Sequence, residues 1–479
     1  MPLTTPTALP PGPRLPKGGE AAPVAPSAAD LAAATPPSRD RYMDLLRVAA
    51  IAVVVTGHWL MATLTAGSGG VRAGNAIAEL PGARYLTWVF QVMPVFFFVG
   101  GFAHATALRS LARRGGRYPD FVRARMSRLL RPTALFLGIW AAIAVSLEVS
   151  GLQHGLGLLA SSVIVQPLWF IGVYLGVMAL APAMHAWHRR HGAAVPVVLL
   201  LAAAAVDLAR FRYGIAGAGT LNLAFVWLAV HQLGYLHADG ILTRSRWTGP
   251  ALAAGGLASV LTLTTVSHLY PVSMVGLPGE PVSNMSPPTL ALAAHAAWLI
   301  GLVLIVRRPV TRWLQRRRVW TAVVAANGVV MTTFLWHLSA LFGLYAVTLA
   351  LAVPLPAAGS ATWLLTRPLW IGVLAVITAG LVAVFRGAEK VPAPRRGRAV
   401  TIDTTSRPDW RAVGRTARAA AGSAAACAGV LGVALSGLDG LVAGRVSQVV
   451  GVPMTPAVAL ALLAGGWAML AWHARSQPR

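Results

Sequence analysis

The 479-residue chain is 56% hydrophobic and only 11% charged, with mean hydropathy +0.65 and formal net charge +26. A soluble domain carries roughly 25% charged residues, so the composition excludes an ordinary soluble protein and predicts a polytopic membrane protein. The positive surplus does not indicate nucleic acid, because it sits in short clusters between apolar runs and no aromatic-rich soluble module is left to read bases.

The single cysteine, Cys427, excludes an internal disulfide and carries no metal signature, so neither a metal nor a prosthetic group is expected. Lysine occurs only at positions 17 and 390, and the Arg/Ala bias fits a high-GC bacterial genome.

Residues 1–38 are rich in Pro, Ala, Ser and Thr and have no apolar run, which predicts a disordered cytoplasmic tail. No signal-peptide core precedes the first apolar run, so that run is expected to act as its own insertion signal. A spanning helix needs about 20 apolar residues. Runs of that kind lie near 43–65, 85–108, 130–149, 163–181, 194–209, 220–238, 249–269, 289–306, 323–351 and 363–385, and the fifth holds Asp207. Two Ala/Gly-rich runs follow near 419–437 and 455–473. The expected fold class is therefore all-α, a transmembrane helical bundle of about ten core spans plus two weaker C-terminal ones. A basic cytoplasmic linker over 386–418 separates the core, 39–385, from the hydrophobic pair in 419–479.

Arginines cluster in alternate loops. Arg109, Arg113, Arg114, Arg117, Arg123, Arg125, Arg128 and Arg131 follow the second run, and Arg307, Arg308, Arg312, Arg316, Arg317 and Arg318 follow the eighth. Segments 150–162 and 270–288 contain no Lys or Arg. This alternation predicts cytoplasmic N- and C-termini in a plasma membrane. Segment 270–288, rich in Pro, Ser and Gly, is expected to be an irregular mouth loop.

The stretch from Asp40 to Leu60, DRYMDLLRVAAIAVVVTGHWL, runs from charge into an apolar helix that carries a histidine. On a helix, Arg47 and His58 fall within about 20° of each other and roughly 16 Å apart, about half the hydrocarbon thickness. Arg47 then lies at the surface and His58 near the midplane, where an ionisable residue is a functional candidate. The alternative is a histidine that bonds a neighbouring helix. Asp44, one turn before Arg47, reads as its ion-pair partner. Glu148 reads as a solvated residue at a helix end. His231 and His337 each read as packed, hydrogen-bonded histidines, and His104 as interfacial.

In QVMPVFFFVGGFAHATAL, Pro94 predicts a kink, while Gly100 and Gly101 allow a neighbouring backbone or an extended ligand to approach. Arg125 and Arg128, three apart at a cytoplasmic mouth, offer planar forks for phosphates; ordinary positive-inside topology with lipid headgroup contact is the alternative.

These motifs together resemble the acyltransferase 3 family of integral-membrane O-acyltransferases. The resemblance rests on Arg47 followed by His58, on Pro94–Phe102, on Arg125 with Arg128 before Pro132, on Pro167–Phe170 with Tyr174, and on Leu335–His337. It covers about 40–385. The extra Arg131 displaces the proline that follows the arginine pair, and 386–479 lies outside. The resemblance implies transfer of an acyl group, often acetyl, from cytoplasmic acyl-CoA to a hydroxyl of a carbohydrate, lipid-linked sugar or small metabolite. It implies His58 and Arg47 as catalytic residues, and Arg125 and Arg128 as binding residues for acyl-CoA. His58 then acts as general base or as nucleophile. The competing class is a transporter or flippase for a glycolipid, which is also built from helices with midplane ionisable residues. A purely structural scaffold leaves the Arg47–His58 spacing without a role.

Overall fold

A chain crossing hydrocarbon must satisfy its backbone within itself, and helices do so. The computed structural model describes residues 26–67, 70–80, 82–389 and 410–472, most of them helical. Helix α1 (Ala28–Ala33) precedes α2 (Arg41–Met61), and a hairpin of β1 (Ala62–Gly67) and β2 (Gly70–Asn75) follows. Next come the short α3 (Ala76–Glu79) and α4 (Thr87–Phe90), then the long α5 (Met93–Arg113) and α6 (Tyr118–Val149). After α7 (Gly155–Val163) lie α8 (Leu168–His191), α9 (Ala194–Phe211) and α10 (Asn222–Ala238). The chain continues with α11 (Thr248–Leu261), α12 (Leu290–Trp313), α13 (Arg317–Asn327), α14 (Val330–Ala350) and α15 (Ala361–Phe385). It closes with α16 (Trp410–Ser436), a small hairpin of β3 (Ser447–Val449) and β4 (Val452–Met454), and α17 (Pro456–Trp472).

Among the described residues, 10 helical stretches are long and apolar enough to cross a membrane, and they include α16 but not the shorter α10 and α17. The molecule is a polytopic helical bundle, as expected. Side chains such as Leu365 (81% exposed) and Val376 (74%) on α15 present an apolar surface suited to lipid.

Several local expectations are revised. Residues 26–38 were expected to be part of the disordered tail. There, however, Ser27 caps α1, Ala32 is buried, and the Trp320 indole donates to Thr35 Oγ1 at 2.9 Å. The rest of that tail, and 390–409 of the basic linker, lie outside the described residues. Pro94 does not kink a helix. The break falls at Gln91–Val92, and Pro94 occupies the first turn of α5, where its missing N–H is no loss. Glu148 is not merely solvated, since its carboxylate accepts from the backbone N–H groups of Val442 (3.1 Å) and Ala443 (2.7 Å).

Asp207 shows how a carboxylate survives in an apolar run. It accepts from Asn222 Nδ2, the Tyr270 hydroxyl and the Leu290 N–H, each at 2.9 Å. One side chain thereby ties together α9, α10, the start of α12 and the 270–288 loop. Burial, and then the adjacent carboxylate, push the Tyr270 hydroxyl well above the ordinary tyrosine range, so it stays a donor. The loop is pinned at further points: Trp88 Nε1 donates to the Val272 carbonyl (2.8 Å), and Asn284 Nδ2 to that of Ser273 (2.9 Å). At the arginine-rich end, Asp239 accepts from both Arg109 and His188 and so links α5, α8 and α10.

Gly101 and Gly234 bring α5 and α10 into backbone contact. A Cβ at Gly101 would strike the His231 carbonyl, and one at Gly234 would strike the backbone of Phe98. Gly100 instead faces the Tyr174 ring. The two glycines of α5 therefore admit a neighbouring backbone and an aromatic ring. We predict that Gly101→Ala costs about 1–3 kcal/mol through overpacking, read as a lowered thermal midpoint of the purified protein. An unchanged midpoint would mean that the two helices separate at little cost.

Candidate active site

The uninterrupted helix α2 carries Arg47 near its start and His58 near its end, as the spacing requires. A histidine inside a bundle must find a polar partner, and His58 finds His337 of α14. His58 Nδ1 lies 2.8 Å from His337 Nε2, and the rings are nearly parallel, 10° apart. His337 Nδ1 lies 2.5 Å from the Phe334 carbonyl, and the Trp59 indole donates to the His337 carbonyl at 3.1 Å.

This chain of contacts assigns the protons. A carbonyl only accepts, so His337 carries its hydrogen on Nδ1 and presents a lone pair at Nε2. His58 must then donate from Nδ1, which leaves its own Nε2 with a lone pair. His337 is 1% exposed, whereas His58 keeps part of its surface open. The accessible member of the pair therefore offers an unprotonated nitrogen, oriented by the buried one.

At the arginine-rich end, Asp44 is buried and held by Arg39 through Nε (2.6 Å) and Nη2 (3.0 Å). Arg47 stands at 3.6 Å from the same carboxylate. The expected Asp44–Arg47 pair exists, but Arg39 is the closer partner, which leaves the Arg47 fork less committed. Arg47 of α2 and Arg125 of α6 act electrostatically on the same two groups, Tyr174 of α8 and His104 of α5. The structure thus draws Arg47 and Arg125 together. Arg128, one turn further along α6, is exposed and within electrostatic reach of Arg125.

His104 is buried rather than interfacial, and its Nδ1 lies 2.9 Å from His231 Nε2. Between the two ends the Phe170 ring lies 5.8 Å from Tyr174 and 5.8 Å from Phe334. An aromatic row therefore leads from the arginines toward the histidine pair. Among the described residues no cluster of His, Cys, Asp and Glu could hold a metal ion.

Sequence reasoning singled out His58, Arg47, Arg125 and Arg128 but treated His337 as an independent packed residue and passed over Arg39. The Leu335–His337 tripeptide carries part of the family resemblance, yet the pairing of His337 with His58 is a tertiary contact between distant helices. Arg39 lies just before the helix, where the apolar pattern has not begun.

Long apolar helices that enclose two histidine pairs define a multi-pass membrane protein. The chain matches the model of the acyltransferase 3 family, described as an acyltransferase domain, over residues 40–386, and it belongs to that family of multi-pass membrane acyltransferases. No curated protein and no solved structure matches it.

The proton assignment is open to measurement. In protein labelled with ¹⁵N-histidine, we expect neutral His58 to be protonated at Nδ1, and His337→Phe to abolish that preference. A neutral His58 protonated at Nε2 in the unsubstituted protein would overturn the assignment.

Proposed function

We propose that the protein transfers an acyl group from cytoplasmic acyl-CoA to a hydroxyl-bearing acceptor, with His58 Nε2 as general base. The observation that carries this reading is the directed His337–His58 pair, which holds an imidazole with its accessible nitrogen unprotonated. In the proposed step the acceptor hydroxyl gives its proton to His58 Nε2, and its oxygen attacks the thioester carbonyl. The tetrahedral intermediate then expels the CoA thiolate as the C–S bond breaks, and the proton on Nε2 passes to that sulfur. General base and acid are the same atom, so no other proton carrier is needed. His337 is a positioning residue that accepts a hydrogen bond from the Nδ1–H of His58 and fixes the ring.

The donor reading rests on charge and shape. CoA carries several phosphates, and guanidiniums bind phosphate through paired hydrogen bonds. Arg125 and Arg47, convergent beside Tyr174, suit a phosphate entering from the arginine-rich end, which the positive-inside pattern assigns to the cytoplasm. The narrow pantetheine arm then follows the aromatic row toward His58. Arg128, exposed one turn further along α6, adds positive charge beside that path. The N-terminus and the basic segment after α15 belong on this same side.

Two tests follow. His58→Ala is expected to insert and accumulate normally while losing about 100- to 10,000-fold in transfer of labelled acyl groups in membranes. His337→Gln, whose amide can accept from His58 and donate to Phe334, should keep more of that rate than His337→Phe. A well-expressed His58→Ala protein that retains most of its rate would remove the histidine from the mechanism.

For the donor, Arg125→Lys is expected to raise the apparent KM for acyl-CoA more than Arg128→Lys does, because a point charge does not replace a half-buried fork. Equal, unchanged KM values would reduce both arginines to topology signals.

A further inference from the structure

Helix α15 is apolar along almost its whole length, yet it carries Arg367. This arginine lies at the end of the bundle opposite the arginine clusters. An ionisable side chain inside a spanning helix is costly, and its partner usually explains it. Among the described residues Arg367 makes no ion pair with a carboxylate. Its Nε donates to the Trp363 carbonyl at 3.2 Å, and its guanidinium sits 4.7 Å from the Trp363 ring and 5.0 Å from the Trp370 ring. Residues 363, 367 and 370 share one helix face, so the two indoles hold the planar fork between them.

That face borders a cavity of about 460 Å³, within the size range of small-molecule sites. Its walls include Arg367, Trp363, Trp370, Tyr345, Glu79 and the proline-bearing segment 353–358. The Tyr345 ring lies 5.2 Å from that of Trp370. Glu79 is already engaged, accepting from Thr63 Oγ1 at 2.9 Å.

The cavity is built at the ends of the two helices that carry the histidine pair. Tyr345 donates its hydroxyl to the Ala62 carbonyl at 3.0 Å, and the Ala62 N–H caps α2 on the His58 carbonyl. Tyr345 lies eight residues beyond His337 on α14, a rise of about 12 Å. Aromatic faces suit the C–H faces of a sugar ring, and the guanidinium fork suits an anion.

We infer that this cavity binds an acidic sugar, a pyranose bearing a carboxylate or a phosphate, with the ring against Trp370, which Tyr345 backs, and the anion on Arg367. In calling that sugar the acyl acceptor, the inference rests on the reading given under Proposed function; the binding itself does not.

The test uses the full chain purified in detergent, with ligand-observed NMR and quenching of tryptophan fluorescence as binding readouts. The probes are methyl glucuronide, glucose 1-phosphate and neutral methyl glucoside. Tighter binding of the first or the second probe tells a carboxylate site from a phosphate site, and either supports the proposal if the neutral glucoside binds about 10- to 100-fold more weakly. Arg367→Gln should erase that preference, and Arg367→Lys should restore only part of it. Thermal midpoints serve as a check on folding. Trp370→Ala should weaken all three probes alike.

Equal affinity for charged and neutral probes, no binding of any, or a preference that persists in Arg367→Gln would overturn the proposal. The two readings fail separately. Acidic-sugar binding without acyl transfer refutes the acyltransfer reading and leaves this site standing. Acyl transfer without acidic-sugar binding refutes this site alone.

Discussion

An imidazole placed among apolar helices cannot leave its ring nitrogens unpartnered without large cost, and most of this bundle's central geometry follows from how His58 meets that constraint. Its partner comes from α14, so α2 and α14 must meet at the depth of His58. The Trp59 indole reinforces the contact from the next position along α2 by donating to the His337 carbonyl. Farther along, the Tyr345 hydroxyl on the Ala62 carbonyl binds the same two helices again. The pair is held by three contacts along one interface, which favours a single ring orientation over rotamer exchange. The direction of the proton chain starts from the Phe334 carbonyl, the one group in it whose role is fixed by covalent chemistry. The base proposed for His58 needs that kind of anchor.

The helical class, most of the spans and the family were legible in the sequence because they depend on properties that repeat over many residues. Hydropathy over a span and charge over a loop average out local exceptions. The spacing of Arg47 and His58 was legible for a related reason, since one helix carries both and its pitch is fixed. Pairings between helices were not. Nothing local in the sequence tells His337 to meet His58 rather than His231, because each is a histidine in an apolar run. Arg39 was hidden because it precedes the periodic pattern. Pro94 misled because a proline inside an apolar run reads as a kink when the turn before it, at Gln91, is not seen. Residues 26–38 misled because Ala/Pro/Ser composition describes their lack of a core of their own, not the neighbouring surface of α13 on which they pack.

The arginines show how one residue type serves several ends. Loop counting treats them as a single topology signal, yet many are committed to structure. Arg307 bonds Asp40 at 3.1 Å, Arg41 stacks over Trp320 at 5.0 Å, and Arg109 reaches Asp239. These contacts fasten helix ends to one another at the polar boundary, where a charge is cheap to place and short of partners. Subtracting them leaves Arg47, which shares Asp44 with Arg39, and Arg125, both within electrostatic reach of the half-buried Tyr174. The candidate donor site is thus set apart by what its arginines face, a distinction that charge alone does not make.

Helices α16 and α17 lie beyond the family match, and their packing bears on the site through α8. Gly172 and Gly176 of α8 turn toward α16. A Cβ on Gly172 would press against Leu431, and Cys427 Sγ donates to the Gly172 carbonyl at 3.0 Å. Tyr174, between those glycines in sequence, points the other way, toward His104 and the arginines. Helix α17 backs α16 at similarly close range, with Gly429 and Gly466 at the crossing. The Glu148 carboxylate fixes the far end of the pair by capping the backbone at Val442 and Ala443. The added hairpin therefore shields the outer face of α8 from lipid and clamps it against α6. A helix that carries Tyr174 on one face and small residues on the other has little bulk of its own to resist displacement. In this chain α16, packed on those small residues, supplies that resistance.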